Sequence, residues 1–173
     1  MGTHGDNHLA MPKSPFLGHG HFLSPGQCRA IVGWIRRKAW WQHSEIGEEG
    51  DSGVDLSACR STWCWLEGPL RKIVMTRVAE ISFALAARSH PPRFETPVIM
   101  RYREGGFFLR HSDEYKDPEN AARRRMSLVA FLTGHGEKDG FTGGELRFYA
   151  AERCVRFAGV IGRFVVFSPE VEH

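Results

Sequence analysis

Three residues in this sequence have side chains suited to holding a transition metal together: His111, Asp113 and His173. His111 and Asp113 lie near the end of the aromatic stretch RYREGGFFLRHSDEY, residues 101–115. On an extended strand, positions i and i+2 project from one face about 7 Å apart along the chain, so both donors would converge on one ion while Ser112 points away. A lone His-x-Asp is common by chance, and its plain reading is a solvated strand end or a satisfied structural pair. The third donor raises its weight, because His173 closes another β-type run, GRFVVFSPEVEH. Two imidazoles and one carboxylate on a rigid scaffold hold one face of an octahedral ion and leave the opposite face open, a donor set that suits iron(II).

The elements that must position these donors read in two blocks. Ser24, Pro25 and Gln27 spell a helix start, with a capping box and a proline in the first turn. Cys28, Ile31, Val32, Ile35 and Ala39 follow at helical spacing, and Trp40 and Trp41 are expected to cover the core. Leu70, Ile73, Val74, Val78, Ile81 and Leu85 mark a second amphipathic helix that stops before Pro91-Pro92. Between them, residues 45–53 read as a loop and CRSTWCWLEGP as a short strand ended by Gly68-Pro69. From Pro97 the pattern turns to β: PVIMRY, GGFFLRHSD, MSLVAFL, GELRFYA, CVRFAG and GRFVVFS are short aromatic and β-branched runs between turn residues. Helices first and strands afterwards predict a mainly β fold, a sandwich or barrel buttressed by two N-terminal helices.

Composition bounds the rest. The 173 residues suit one domain, and 42% hydrophobic with 25% charged residues is ordinary for a globular protein. A net charge of +3 is too small to argue for nucleic acid or a membrane surface. No apolar run approaches the roughly 20 residues of a membrane span. Cys28, Cys59, Cys64 and Cys154 show no CxxC spacing and read as free thiols in a reducing compartment, so the expected location is cytoplasmic. Residues 1–21, rich in Gly, His and Pro, are expected to form a flexible tail, with residues 22–173 as the single domain.

From Phe22 to His173 the chain resembles the prolyl-4-hydroxylase-like branch of the iron(II)/2-oxoglutarate-dependent dioxygenases. The resemblance rests on Tyr102, Gly105, Phe108, His111 with Asp113, Ser127 with Leu132, the Gly143-Gly144-Glu145-Leu146 turn and strand, Gly162, and VVFSPEVEH, in that order and spacing. It implies a double-stranded β-helix, the jelly-roll or cupin-like barrel. It also implies Fe(II) bound by His111, Asp113 and His173, with 2-oxoglutarate and O2 as cosubstrates and ascorbate as a reductant. The reaction so implied is hydroxylation of an unactivated C–H bond with release of succinate and CO2. The substrate so implied is a small molecule or a peptide: an amino acid, a prolyl-like residue or a natural product.

The same resemblance suggests that Tyr102 contacts 2-oxoglutarate; Ser127 and Phe131 share strand parity, so both face the barrel interior if Val129 does. Phe131 stands where relatives often carry a hydrogen-bonding tyrosine, so that contact must come from elsewhere. A further departure is the cation that anchors the distal carboxylate, expected roughly ten positions beyond the second histidine. The given residues stop at His173, so the sequence is expected to be truncated, or Arg125 or Arg147 takes that role, or the barrel is inactive. Burying a carboxylate without a cation is costly. Arg123, Arg124 and Arg125 read as a solvated basic turn or as readers of an acidic substrate group. Residues 114–122 are a candidate lid, and Glu137, Lys138 and Asp139 read as solvated loop residues or as the lining of the entrance. A nucleic-acid demethylase is disfavoured because no basic and aromatic cluster is evident. The rival of another class is a non-catalytic barrel that binds a metal or a partner.

Overall fold

The computed structural model describes residues 16–38, 40–45, 53–85, 93–114, 124–136, 141–150 and 153–173. It is mainly β with two helices, in the order β1 (Phe16–His21), α1 (Pro25–Lys38), β2 (Gln42–His43), β3 (Thr62–Trp65), α2 (Gly68–Leu85), β4 (Val98–Arg101), β5 (Ser127–Ala130), β6 (Leu146–Ala150), β7 (Arg153–Phe157) and β8 (Arg163–Phe167). The strands lie in three antiparallel sheets, ordered β1-β8-β5, β2-β3-β4 and β6-β7, which do not close on one another among the described residues. Among the described residues no helix is long and apolar enough to cross a membrane.

The capping box of α1 forms as its residue types require. The Ser24 N–H donates to Gln27 Oε1 at 2.9 Å, and the Gln27 N–H donates to Ser24 Oγ at 3.2 Å. Helix α2 starts earlier than expected, at Gly68, with Pro69 in its first turn rather than closing the preceding strand.

Strand β8 organises the core. Its residues Phe164 to Phe167 are all buried, the continuous apolar run of a strand covered on both faces. Phe164 and Val166 join Cys28, Ile31 and Ile35 of α1, Val74 and Ile81 of α2, Cys64 of β3 and Ile99 of β4 in the larger apolar cluster. Val165 and Phe167 look the other way, into a second cluster with Phe148 of β6 and the half-buried Val129, Val155 and Phe157.

Three expectations need correction. The tail expected over residues 1–21 does not reach residue 21, because Phe16–His21 is a strand paired with β8. Its glycines serve close packing rather than a loop: a Cβ on Gly20 would come within 3.2 Å of the Phe164 ring, and one on Gly18 within 3.3 Å of Leu85. A bulge between Phe16 and Gly18 turns Phe16 toward the second cluster. Trp40 does not cover the core; it is 85% exposed. The run GGFFLRHSD is not a regular strand either, and its single ladder contact is the isolated bridge between Phe108 and Cys59. Residues 1–15, most of the candidate lid, Arg123, and Glu137 to Asp139 lie outside the described residues.

Candidate metal centre

His111 and Asp113 are held by the segment that follows β8 rather than by a strand of their own. The His111 N–H donates to the His173 carbonyl at 3.0 Å, and the His173 N–H returns the bond to the His111 carbonyl at 2.9 Å. The Asp113 N–H donates to the Pro169 carbonyl at 2.9 Å. This reciprocal pair is what an antiparallel ladder would supply, and it brings residues 62 positions apart side by side. The neighbours of the two histidines repeat the link: Arg110 and Glu172 form an ion pair, and the Arg110 guanidinium lies over the Tyr149 ring, 4.5 Å from its centroid.

The side chains converge accordingly. Asp113 Oδ1 lies 3.9 Å from His111 Nε2 and 4.0 Å from His173 Nε2, and the three donor atoms all lie within 4.8 Å of one another. The two rings face each other with centroids 4.4 Å apart. Both tautomers follow from the partners of Nδ1. His111 Nδ1 is 2.8 Å from the Leu109 carbonyl and His173 Nδ1 is 2.9 Å from the Val171 carbonyl. A carbonyl only accepts, so each Nδ1 carries the proton and each Nε2 presents a lone pair to the shared space.

The surroundings of His111 favour its neutral state. Burial pulls the pKa of His111 below its ordinary value, with the neighbouring His173 acting the same way; the Leu109 carbonyl and Asp113 oppose this more weakly. His173 is packed from behind by Phe167, with ring centroids 4.6 Å apart, and by Phe148 at 6.2 Å. The Phe108 ring stacks on His111 at 3.9 Å and fixes its plane. His173 keeps only 6% of its side-chain surface, while His111 and Asp113 keep 29% and 27%, so the cluster is closed behind and open in front.

These donors suit a divalent ion of the iron type. Metal bonds of about 2.1 Å at right angles need donors about 3 Å apart. The observed 3.9 and 4.0 Å separations are wider by a distance that small side-chain rotations cover. Two neutral imidazoles and one carboxylate leave half of an octahedron for other ligands.

The remaining expected residues fall in different places. Tyr102 lies just past β4 and is 45% exposed, yet its hydroxyl end is crowded enough that burial, with Cys59 nearby, pushes its pKa up to about 12 against the lowering effect of Ser61. The phenol stays protonated at neutral pH. Ser127 is buried and pairs with Phe167, so both share the face that packs against His173. Phe131 stacks on Phe157 with centroids 5.9 Å apart. Arg125 is exposed just before β5, and Arg147 pairs with Glu145.

Arg124 has a role that its place in a basic run did not reveal. Its Nη1 donates to the Asp113 carbonyl at 2.9 Å, while its Nε and Nη2 clasp the Glu95 carboxylate at 2.9–3.0 Å. Arg124 thereby holds the Asp113 backbone in place. The mirrored dipeptides Arg110-His111 and Glu172-His173 were a readable sign of proximity; the arginine–glutamate clasp left no comparable trace.

A mainly β scaffold presenting two histidines and one carboxylate to an open front is an arrangement suited to a mononuclear non-haem iron ion. Residues 97–173 match the family model of the 2OG-Fe(II) oxygenase superfamily. Solved structures agree in fold. A prolyl-4-hydroxylase from Pseudomonas putida superposes with a TM-score of 0.66 at 23% identity, over 90% of this chain and 82% of that one. A prolyl hydroxylase from Trichoplax adhaerens, in complex with a hypoxia inducible factor oxygen degradation domain peptide fragment, gives 0.72 at 14%, over 93% and 76%. The viral collagen prolyl hydroxylase of Paramecium Bursaria Chlorella virus-1, as its 2OG complex, gives 0.64 at 14%, over 90% and 78%. A search of curated proteins found no match. The family match over residues 97–173 and the shared fold of the prolyl hydroxylases support a 2OG-Fe(II) oxygenase of prolyl-4-hydroxylase-like fold. The cofactors of that family are Fe(II), 2-oxoglutarate and O2.

Proposed function

We propose that the protein is a 2-oxoglutarate-dependent hydroxylase acting on an amino-acid, prolyl-like peptidyl or natural-product substrate, with His111, Asp113 and His173 as the ligands of Fe(II). The observation that carries this reading is the convergence of the three donors, with both Nε2 lone pairs aimed at the space beside Asp113. When bound, Fe(II) supplies the oxidative decarboxylation of 2-oxoglutarate to succinate and CO2 coupled to C–H hydroxylation.

The chain's own part is positioning and exclusion of water. Phe108 and Phe167 fix the imidazole planes. Tyr102, protonated at neutral pH, can donate to a 2-oxoglutarate carboxylate, and Ser127 offers a hydroxyl on the face that packs against His173. Arg125 makes no ion pair among the described residues and is our candidate for the distal carboxylate. The two halves of the fold, β1-β8-β5 over β6-β7 and β2-β3-β4 beside the helices, correspond on this reading to a double-stranded β-helix buttressed by α1 and α2. The dioxygenase domain, expected over residues 22–173, then also includes β1 from Phe16. A reducing, cytoplasmic setting accords with the four free thiols.

Anaerobic addition of Fe(II) and 2-oxoglutarate should give a visible charge-transfer band, with succinate released on admitting air. Asp113→Ala and His173→Ala should each abolish both signals. Arg125→Ala should raise the 2-oxoglutarate requirement severalfold without changing iron affinity. Metal binding with no band and no succinate would instead identify a non-catalytic metal-binding protein.

A further inference from the structure

A second site lies on the opposite face of the β2-β3-β4 sheet. Trp63 pairs with Met100, and these line a groove with Phe108, whose ring stacks on His111. The next pair along the ladder, Thr62 with Arg101, projects the other way by strand alternation. There, Arg60, Arg101, Arg103 and His43 surround a cavity of about 280 Å³ whose one acidic lining residue among the described residues is Glu104.

We propose that this cavity binds a phosphate- or carboxylate-type oxyanion, independently of the iron centre. Three guanidinium groups share it, and among the described residues none of them has a carboxylate within ion-pair distance. Two are held in fixed orientations by neutral partners. Arg60 Nε donates to the Leu56 carbonyl at 3.0 Å; Arg101 Nε donates to Thr62 Oγ1 at 3.2 Å while its guanidinium lies 3.9 Å over the Trp41 ring. Among the described residues their terminal N–H groups have no hydrogen-bond acceptor.

The third, Arg103, makes no hydrogen bond or ion pair among the described residues, but its backbone is locked. The Gly106 N–H donates to the Arg103 carbonyl at 2.7 Å, and a Cβ on Gly106 would sit 2.7 Å from that oxygen and 2.9 Å from the Arg60 carbonyl. Only glycine fits there, so the turn that brings Arg103 beside Arg60 is built to close dimensions. Three guanidinium groups facing a single acid repel one another, and burial together with Arg103 lowers the proton affinity of Arg101. Guanidinium forks match the oxygens of carboxylates and phosphates, and an anion between them turns that repulsion into attraction.

The anion can be borne by a small molecule or by an acidic peptide segment, and two calorimetric titrations of the full chain at low salt separate these sources: inorganic phosphate and tetraglutamate. Saturable binding of either supports the site, and the tighter of the two assigns the source. Arg103→Gln removes one charge-assisted contact and should weaken that binding about tenfold. Glu104→Gln should tighten it, and added sodium chloride should weaken it. Cobalt(II) binding to the histidine pair should be unchanged in both variants. Because Arg103 makes no side-chain contact of these kinds, its variant should melt like the parent protein. No saturable heat with either probe, or equal affinity in the parent and Arg103→Gln, would overturn the proposal whether or not the oxygenase reading holds.

Discussion

Arg124 joins two segments at once, clasping Glu95 with one edge of its guanidinium and the Asp113 carbonyl with the other. Residues that orient metal ligands typically cost 10–100-fold in affinity when lost, so Arg124→Gln should weaken cobalt(II) or Fe(II) binding by about tenfold or more. A spectroscopic titration checks this, and a melting curve taken alongside separates misplacement of Asp113 from unfolding. His111 carries a pH signature of its own. Its native pKa lies below 6.5, so as pH falls through 6.5 the unfolded chain takes up a proton that the folded chain refuses. The metal-free protein should therefore lose stability as pH drops below 6.5, until the lowered native value is passed. Urea unfolding at several pH values should show this slope in the parent protein and a flatter one in His111→Gln.

Among the elements, the turn before β8 is the most constrained. Gly162 has φ +78°, and a Cβ placed there would lie 2.2 Å from the Leu23 carbonyl. Its own carbonyl accepts from the Phe22 and Leu23 N–H groups at 2.7 and 3.2 Å, which fastens the entry to α1 onto the start of β8. Gly162→Ala is expected to cost more than about 2 kcal/mol, because backbone strain and backbone clash act together; a shift in urea midpoint measures it. The same elements show what could be read in advance. The cap of α1 and the strands from β4 to β8 were legible because apolar alternation and turn glycines are local signals. Strand β1 was not, since glycines that pack beneath Phe164 and Leu85 look in sequence like those of a loop. The segment carrying His111 was misread as a strand for a related reason. Its hydrogen bonds go to His173 and Pro169, partners that no local pattern names. The proposed ligands stood out by chemical type, whereas Phe108 and Arg124 acquire their contacts with them only through the tertiary fold.

At the scale of the whole molecule, β8 divides two apolar clusters, and the smaller one supports the metal centre. Phe148 is fully buried between Phe167, 5.1 Å away, and His173, 6.2 Å away. Phe148→Ala should cost about 3–5 kcal/mol of stability. It should also weaken metal binding at temperatures where the variant is still folded, which denaturation and metal titration together can show. The reciprocal backbone bonds between His111 and His173 extend this dependence to the order in which the chain is made. A nascent chain that has left the ribosome only as far as Gly144 holds an imidazole and a carboxylate with nothing yet to tie them. With the proposed ligand set, iron capture waits for residue 173 to emerge, so translation arrested earlier should yield chains that cannot retain the metal.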